Sequence, residues 1–182
     1  MDLGQVSLMI IAGTGHRPDK LGGYDVETFM RITDFATNIL AGRKPSRIIT
    51  GMAIGWDIAI AQAAINLGIP FHAYVPFEGQ ELKWPMSTRL YYKVLLNNAE
   101  HIELCSTGGY TKASMQRRNQ RMVDDCDEIA ALWNGSPGGT ENCLSYAILI
   151  GKPYINYWGE FTTTVGKDFP PNPALNDWLA ST

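Results

Sequence analysis

The sequence is short of the residues that staple or metallate a fold. Its three cysteines, Cys105, Cys126 and Cys143, show no CxxC spacing, and its three histidines stand far apart in the chain. That set argues against a disulfide framework or a zinc site and fits a reducing cytoplasm; no metal and no cofactor is expected. No apolar run approaches the ~18 residues of a membrane span. "MDLGQVSLMIIAG" has no basic lead before its short apolar core, so it does not read as a signal peptide. Positive charge is not in excess either: 15 Lys and Arg against 18 Asp and Glu leave a net charge of −3. Wholesale coating of a nucleic-acid backbone is not expected, and a nucleic-acid partner is disfavoured. These shortages point to a cytoplasmic protein without a membrane partner.

What the chain does have is a regular alternation of apolar runs and helix-period segments. At 182 residues, with 45% hydrophobic and 18% charged residues, it has the make-up of one globular domain with a substantial core. "SLMIIAG" (7–13), "SRIITG" (46–51), "PFHAYVPF" (70–77), "HIELC" (101–105), "EIAALWN" (128–134) and "KPYINYW" (152–158) read as strands. Helices are expected within 26–40, over 55–68 with Gly68 closing it, within 87–98, over 112–126 and over 140–150. Nearly unbroken apolar strands imply a sheet covered on both faces, and the alternation implies parallel pairing. The expected class is α/β: a Rossmann-like, doubly wound, mostly parallel sheet with helices on both faces. The domain is expected to span 1–158. The proline-rich stretch 159–182 is expected as an extension, with Leu175, Trp178 and Leu179 on one face of a short helix packed on the domain or on a partner subunit.

In such sheets ligands bind beyond the carboxyl ends of the strands, near the point where strand order reverses. Three glycine-rich turns fall there. "AGTGHRP" (12–18) offers Gly13 and Gly15 for a tight turn, with Thr14, His16 and Arg17 as donors to phosphate, sugar or base. "TGMAIGWD" (50–57) brackets a short loop between Gly51 and Gly55. Asp57, in the first turn of the next helix, can sit there for the helix dipole, fix the loop or accept a ribose hydroxyl, and Trp56 can stack on a base or be buried. "WNGSPGGTENC" (133–143) leads into a helix whose unpaired N–H groups suit an anion, with Gly138, Gly139, Thr140, Glu141 and Asn142 at its start. It lacks the lysine of a P-loop, so magnesium-dependent ATP hydrolysis is not indicated.

Two other segments bear on the site. The helix "MQRRNQR" (115–121) concentrates Arg117, Arg118 and Arg121 around Asn119, with Arg118 and Arg121 expected on one face. "PFEGQELKWP" (76–85) places Glu78, Glu81 and Trp84 where a lid can form, or where two acids simply balance the basic residues.

Together these residues resemble the SLOG superfamily, which groups DprA/Smf proteins with the Lonely Guy (LOG) family. "TGMAIGWDIAIA" and "RRNQRMV" resemble the glycine–aspartate and arginine–asparagine segments of DprA/Smf proteins. "SPGGTENC" and "MQRRN" resemble the PGGxGTxxE and MHxRK elements of LOG proteins. "GTGHRP", "PFEGQE" and "WNGSPGGT" resemble the YpsA/YspA-like branch, which is bacterial or phage-encoded. The resemblance covers about residues 8–158 and implies a Rossmann-like homodimer that binds a nucleotide or an ADP-ribose-like, NAD-derived molecule. For LOG members it implies N-glycosidic hydrolysis of nucleoside 5′-monophosphates, and for DprA members single-stranded DNA binding. The chain departs from the LOG pattern at Asn119, where lysine is usual, and at Cys143, where the glutamate falls.

The leading expectation is a nucleotide-ligand-binding protein in which Gly13, Thr14, Gly15, His16, Arg17 and Gly138–Asn142 hold phosphate and ribose. Gly51, Gly55 and Asp57 shape the middle turn, and Arg118 with Asn119 closes the site. The enzymatic alternative is an N-glycosidic hydrolase or deoxyribosyltransferase, with Arg118 on phosphate and Glu141 or Glu81 as acid/base or charge stabiliser.

Overall fold

A computed structural model describes residues 8–164. Six strands, β1 (Ile10–Gly15), β2 (Arg47–Thr50), β3 (Phe71–Val75), β4 (His101–Leu104), β5 (Glu128–Leu132) and β6 (Tyr154–Asn156), form one sheet in the order β4-β3-β2-β1-β5-β6. Every pairing is parallel. The chain builds outward from β1 to β4, then crosses back to lay β5 on the other flank of β1. Strand order therefore reverses between β1 and β5, and a crevice opens there at the carboxyl ends.

The helices divide by sheet face. α1 (Val26–Arg43), α2 (Trp56–Leu67) and α3 (Met86–Asn98) follow the outward strands and share one apolar core with Ile11, Ile48, Phe71 and Leu132. α4 (Lys112–Asp125) and α5 (Gly139–Leu149) cover the opposite face over Ala12, Ile49, Ile129 and Ala131. Local sequence fixes several ends. Asp25 accepts from the Thr28 N–H at 2.7 Å to start α1. Gly68 takes the left-handed conformation that closes α2, and Thr111 and Ser114 bond each other's N–H at 2.9 and 3.0 Å to start α4.

The expected class holds, and three local expectations change. β1 runs on to Gly15, so Gly13 and Thr14 belong to the strand and not to the turn after it. They pair with Ala130 and Ala131 of β5, and Gly15 pairs with Leu132. A side chain on Gly15 would meet the Trp56 ring at 2.7 Å, so the missing Cβ is what lets α2 press on the sheet. β6 is shorter than expected. The Asn156 side chain accepts from the Trp133 and Trp158 N–H groups at 3.1 and 3.2 Å and turns the chain into α6 (Trp158–Thr164). The boundary expected at 158/159 thus falls at the first residues of a helix. Phe161 of α6 is buried, with ring contacts to Phe35 at 5.4 Å and Trp158 at 5.9 Å. Leu175, Trp178 and Leu179 lie outside the described residues. Finally, two of the histidines expected to stand apart come together. The β3–β4 register pairs His72 with His101, ring centroids 5.2 Å apart, and each is bonded to a glutamate. Among the described residues no group of three or more His, Cys, Asp or Glu side chains has a metal-holding arrangement, and no helix is long and apolar enough to cross a membrane.

Phe161 makes the docking of α6 testable. Phe161→Ala should cost about 3–5 kcal/mol, the range for deleting a buried phenylalanine side chain. Urea denaturation reads this directly; a midpoint equal to the parent's would mean that α6 does not pack on the body.

Candidate functional site

A cleft of about 530 Å³ opens at the β1/β5 reversal. β1 brings Thr14, Gly15 and the following His16 and Arg17 to one wall, and α5 brings Gly138, Gly139, Thr140 and Asn142 to the other. Asp57 reaches it from α2, and Arg118 and Asn119 from α4. The sequence thus named eleven of the lining residues. It missed Asp19 and Lys20, which follow Arg17 in a short 3-10 turn, and Ala53 in the loop before α2. It also missed Tyr110, Lys112, Met115 and Gln116 around the start of α4. Lys20 and Lys112 are the consequential omissions. Lys20 stands three residues after Arg17, and Lys112 is the first residue of the helix that carries Arg118; that placement was the available signal.

Arg118 is almost fully buried. Its guanidinium donates to the Gly51 carbonyl at 2.5 Å and to the Asn119 side-chain oxygen at 3.0 Å, and the Asn119 amide donates to the Gly139 carbonyl at 3.2 Å. One chain of hydrogen bonds therefore joins the end of β2, α4 and the start of α5. The three arginines of α4 part company instead of forming a common basic face. Arg117 donates to the Ser106 hydroxyl, and Arg121 pairs with Glu103 at 2.8 Å on the exterior. Gly51 does not line the cleft; a Cβ there would stand 1.9 Å from Arg118 Nη1. Gly55, with φ +109°, lies so close to the 16–17 backbone that a Cβ would meet the His16 carbonyl oxygen at 2.4 Å. Both glycines serve the packing of the walls.

The α5 start is different. Side chains added at Gly138 or Gly139 would meet nothing within 4 Å. The N–H groups of Gly139 and Thr140, at the first two helical positions, have no acceptor among the described residues. The Gly138 N–H is taken by the Glu141 carboxylate at 3.3 Å. Glu141 is thereby a helix cap, and neither it nor Glu81 lines the cleft. Gln80 and Trp84 are likewise turned to α3: the Gln80 amide donates to the Tyr92 hydroxyl at 3.0 Å, and Trp84 packs edge-on against Tyr92 at 5.3 Å, while Phe77 packs on Tyr110 of the cleft at 6.0 Å.

His16 and Trp56 knit the floor. His16 Nε2 lies 2.7 Å from Asn134 Oδ1 and 3.0 Å from the Asn134 N–H, and its ring meets Trp158 edge-on at 5.7 Å. Burial holds its pKa below the ordinary value, so the ring is neutral near pH 7. Trp56 is fully buried, with its indole N–H on the Ala130 carbonyl at 3.1 Å, and has no face for a base. Cys143 is buried too, its thiol pushed up to about 11 by burial; Thr14 lies within hydrogen-bonding reach.

Asp57 is the buried carboxylate of the cleft. Its Oδ2 is 4.0 Å from Arg118 Nη1 and accepts a long 3.5 Å bond from the Ala53 N–H. Burial raises its pKa to about 6, outweighing Arg118 and the nearby backbone N–H groups, which favour the charge. A second cavity, about 310 Å³, lies between α1 and α3 behind the same loops. Phe29, Ile32, Ile54, Ile58 and Tyr91 make its wall apolar, and it offers no cationic side chain to an anion.

Residues 11–149 match the model of the YspA SLOG family. Among curated proteins, the SPbeta prophage-derived protein YoqJ of Bacillus subtilis is 33% identical over 128 residues, covering 61% of this chain and 72% of YoqJ. A UPF0398 protein of Bacillus anthracis is 25% identical over 169 residues, covering 79% of this chain and 91% of its own. Among solved structures, DNA processing protein A from Helicobacter pylori, described for its single-stranded DNA binding mode, superposes with TM-score 0.58 at 15% identity. It covers 96% of this chain and 80% of that one. The chain spans 63% of the Streptococcus pneumoniae DNA processing protein A, at TM-score 0.49, 14% identity and 89% of this chain. The Helicobacter pylori likeness speaks to the fold alone.

The raised pKa of Asp57 makes a signed prediction. A carboxyl whose folded value of about 6 exceeds its ordinary 3.8 favours folding fully below about pH 4 and loses that stabilisation as pH rises through 6. Asp57→Asn should therefore be more stable than the parent at pH 8, by roughly 2–3 kcal/mol, and the gap should close near pH 4. Urea melts at the two pH values measure it; a gap that widens on acidification would reverse the assignment.

Proposed function

The chain belongs to the YspA SLOG family, and from that premise we propose that it is a binding or sensing protein for a nucleoside phosphate or an ADP-ribose-like ligand. The observation that carries this reading is the start of α5. Two backbone N–H groups without acceptors face a cleft that also presents Arg17, Lys20, Lys112 and the buried Arg118 against only Asp19 and Asp57. The whole chain is net negative, so a cleft with this cationic excess is built for an anion, and free N–H groups at a helix start suit phosphate oxygens. Thr140 adds a hydroxyl on the same wall. Binding stands ahead of cleavage because the two carboxylates offered by the sequence as acid/base, Glu141 and Glu81, stand outside the cleft. Homodimerisation belongs to the same reading. It is supported by Met86, Leu90 and Val94, exposed four residues apart along α3.

Incubation with AMP, ADP-ribose and cyclic ADP-ribose, followed by mass spectrometry of the retained and free fractions, tests the reading. Intact ligand should be retained, and Lys112→Ala or Thr140→Val should each weaken it about tenfold, the scale of one hydrogen bond to a charged group. Free base in the supernatant would make the protein a glycosidic hydrolase instead. Preferential retention of a single-stranded oligonucleotide would move it toward the activity named for the Helicobacter pylori protein. Sedimentation of the parent and Leu90→Asp should show a dimer that the variant loses; a monomeric parent removes the dimer from the reading.

A further inference from the structure

An anion cleft with a carboxylate at its floor works against itself. Asp57 repels phosphate, and keeping it buried lowers stability once it is charged. Two structural duties would account for it, and the geometry leaves both weak. Holding Arg118 is one, yet that guanidinium is seated by the Gly51 carbonyl at 2.5 Å and by Asn119 at 3.0 Å, with Asp57 Oδ2 only at 4.0 Å. Fixing the 51–55 loop is the other, yet the Ala53 N–H stands 3.5 Å away, at the limit of a hydrogen bond. The firm tie at this point is the Thr50 hydroxyl on the Asp57 carbonyl at 2.7 Å, which is backbone and owes nothing to the carboxylate. Both carboxylate contacts use the same oxygen, and beyond them the Gly15 N–H of β1 also favours the charged carboxylate. A carboxylate has about four acceptor sites, so a nearly buried acceptor with lone pairs to spare still lines the cleft beside the groups that would hold phosphate.

Such an acceptor is matched by a donor on the ligand. Resting on the reading that the cleft takes a phosphate ester, we propose that Asp57 is its specificity-determining residue and selects esters bearing a vicinal pair of hydroxyls, the ribose cis-diol, over anions without one. A carboxylate accepts two adjacent O–H groups at once. Bases, phosphate chains and DNA strands lacking the diol leave it unpaired and buried, which penalises them. The same residue that lowers affinity for a bare anion thereby sorts ribonucleotides from their deoxy relatives.

The test compares AMP, 2′,3′-dideoxyadenosine 5′-monophosphate and inorganic pyrophosphate by calorimetry on the full chain and on Asp57→Asn. The parent should prefer AMP to the dideoxy analogue by about tenfold or more. In Asp57→Asn that preference should shrink several-fold, while pyrophosphate binds more tightly because a negative charge has left the floor. These opposite movements separate recognition from damage, since a misfolded variant loses all three ligands. In that event the parent alone decides. Lowering pH from 8 to 5 protonates Asp57; the other charged side chains of the cleft are Arg17, Asp19, Lys20, Lys112 and Arg118, and the titratable His16 lines it too. The AMP-to-dideoxy ratio should then fall, and phosphate titration cancels because both ligands share it. Equal affinity of the parent for AMP and the dideoxy analogue, with pyrophosphate still bound, overturns this inference and spares the phosphate reading. A preference that survives both Asp57→Asn and pH 5 overturns it as well. Failure of all three ligands to bind the folded parent removes the phosphate reading together with it.

Discussion

The site depends on where one guanidinium is seated. α4 covers one face of the sheet, yet Arg118 passes the strand ends to reach the carbonyl of Gly51, and Asn119 carries the link on to Gly139. Three elements that are distant in sequence are thereby held in register by a single buried cation. That arrangement dictates the residue at 51, since any Cβ would occupy the place of Nη1. It also explains why α4 needs adjacent arginine and asparagine: the first supplies the reach, and the second gives the guanidinium a local acceptor while its own amide grips α5. Burying a charge is costly unless its hydrogen bonds are met. Here two are met by protein, and the same side chain also lines the cleft.

The polar groups buried in this fold are concentrated at that edge. Thr14, His16, Asp57, Arg118, Asn119 and Thr140 are all buried and all line the cleft, whereas the interior on either face of the sheet is built from Ile, Ala, Leu and aromatic side chains. The sheet supplies rigidity through apolar burial, and the strand ends use it to hold groups that would not otherwise stay out of water. Stability is given up at Asp57, where burial raises the pKa and the protein carries an ionised group near neutrality at a cost.

The fold was legible because parallel sheets write themselves as unbroken apolar runs, and "EIAALWN" or "PFHAYVPF" leave few other readings. The candidate cleft was legible because a crevice opens at the strand ends where order reverses in such folds, and threonine, arginine, asparagine and glycine from the named turns line it. What escaped was tertiary in origin. Nothing local shows that β1 continues through Gly13 and Thr14, because the reason is pairing with Ala130 and Ala131 far along the chain. Nothing local separates Arg118 from Arg117 and Arg121, since the inward turn requires the Gly51 carbonyl. Glu141 looked free to act as an acid, and only the geometry of the α5 start shows it spent on the Gly138 N–H. His72 and His101 became neighbours through strand register, which spacing in sequence does not encode.

The glycines carry the last step. Read along the sequence, three glycine-rich turns look like three places where a backbone makes room for a ligand. In the fold, Gly13, Gly15, Gly51 and Gly55 make room for Ile60, Trp56, Arg118 and the His16 carbonyl, which are the protein's own parts. Gly138 and Gly139 alone among these site glycines would project a side chain into open space, and they do so beside the two unaccepted N–H groups. One open turn, not three, follows from that division. The β1 and β2 turns then form rigid walls around the cleft, and on those walls Asp57 is the buried acceptor.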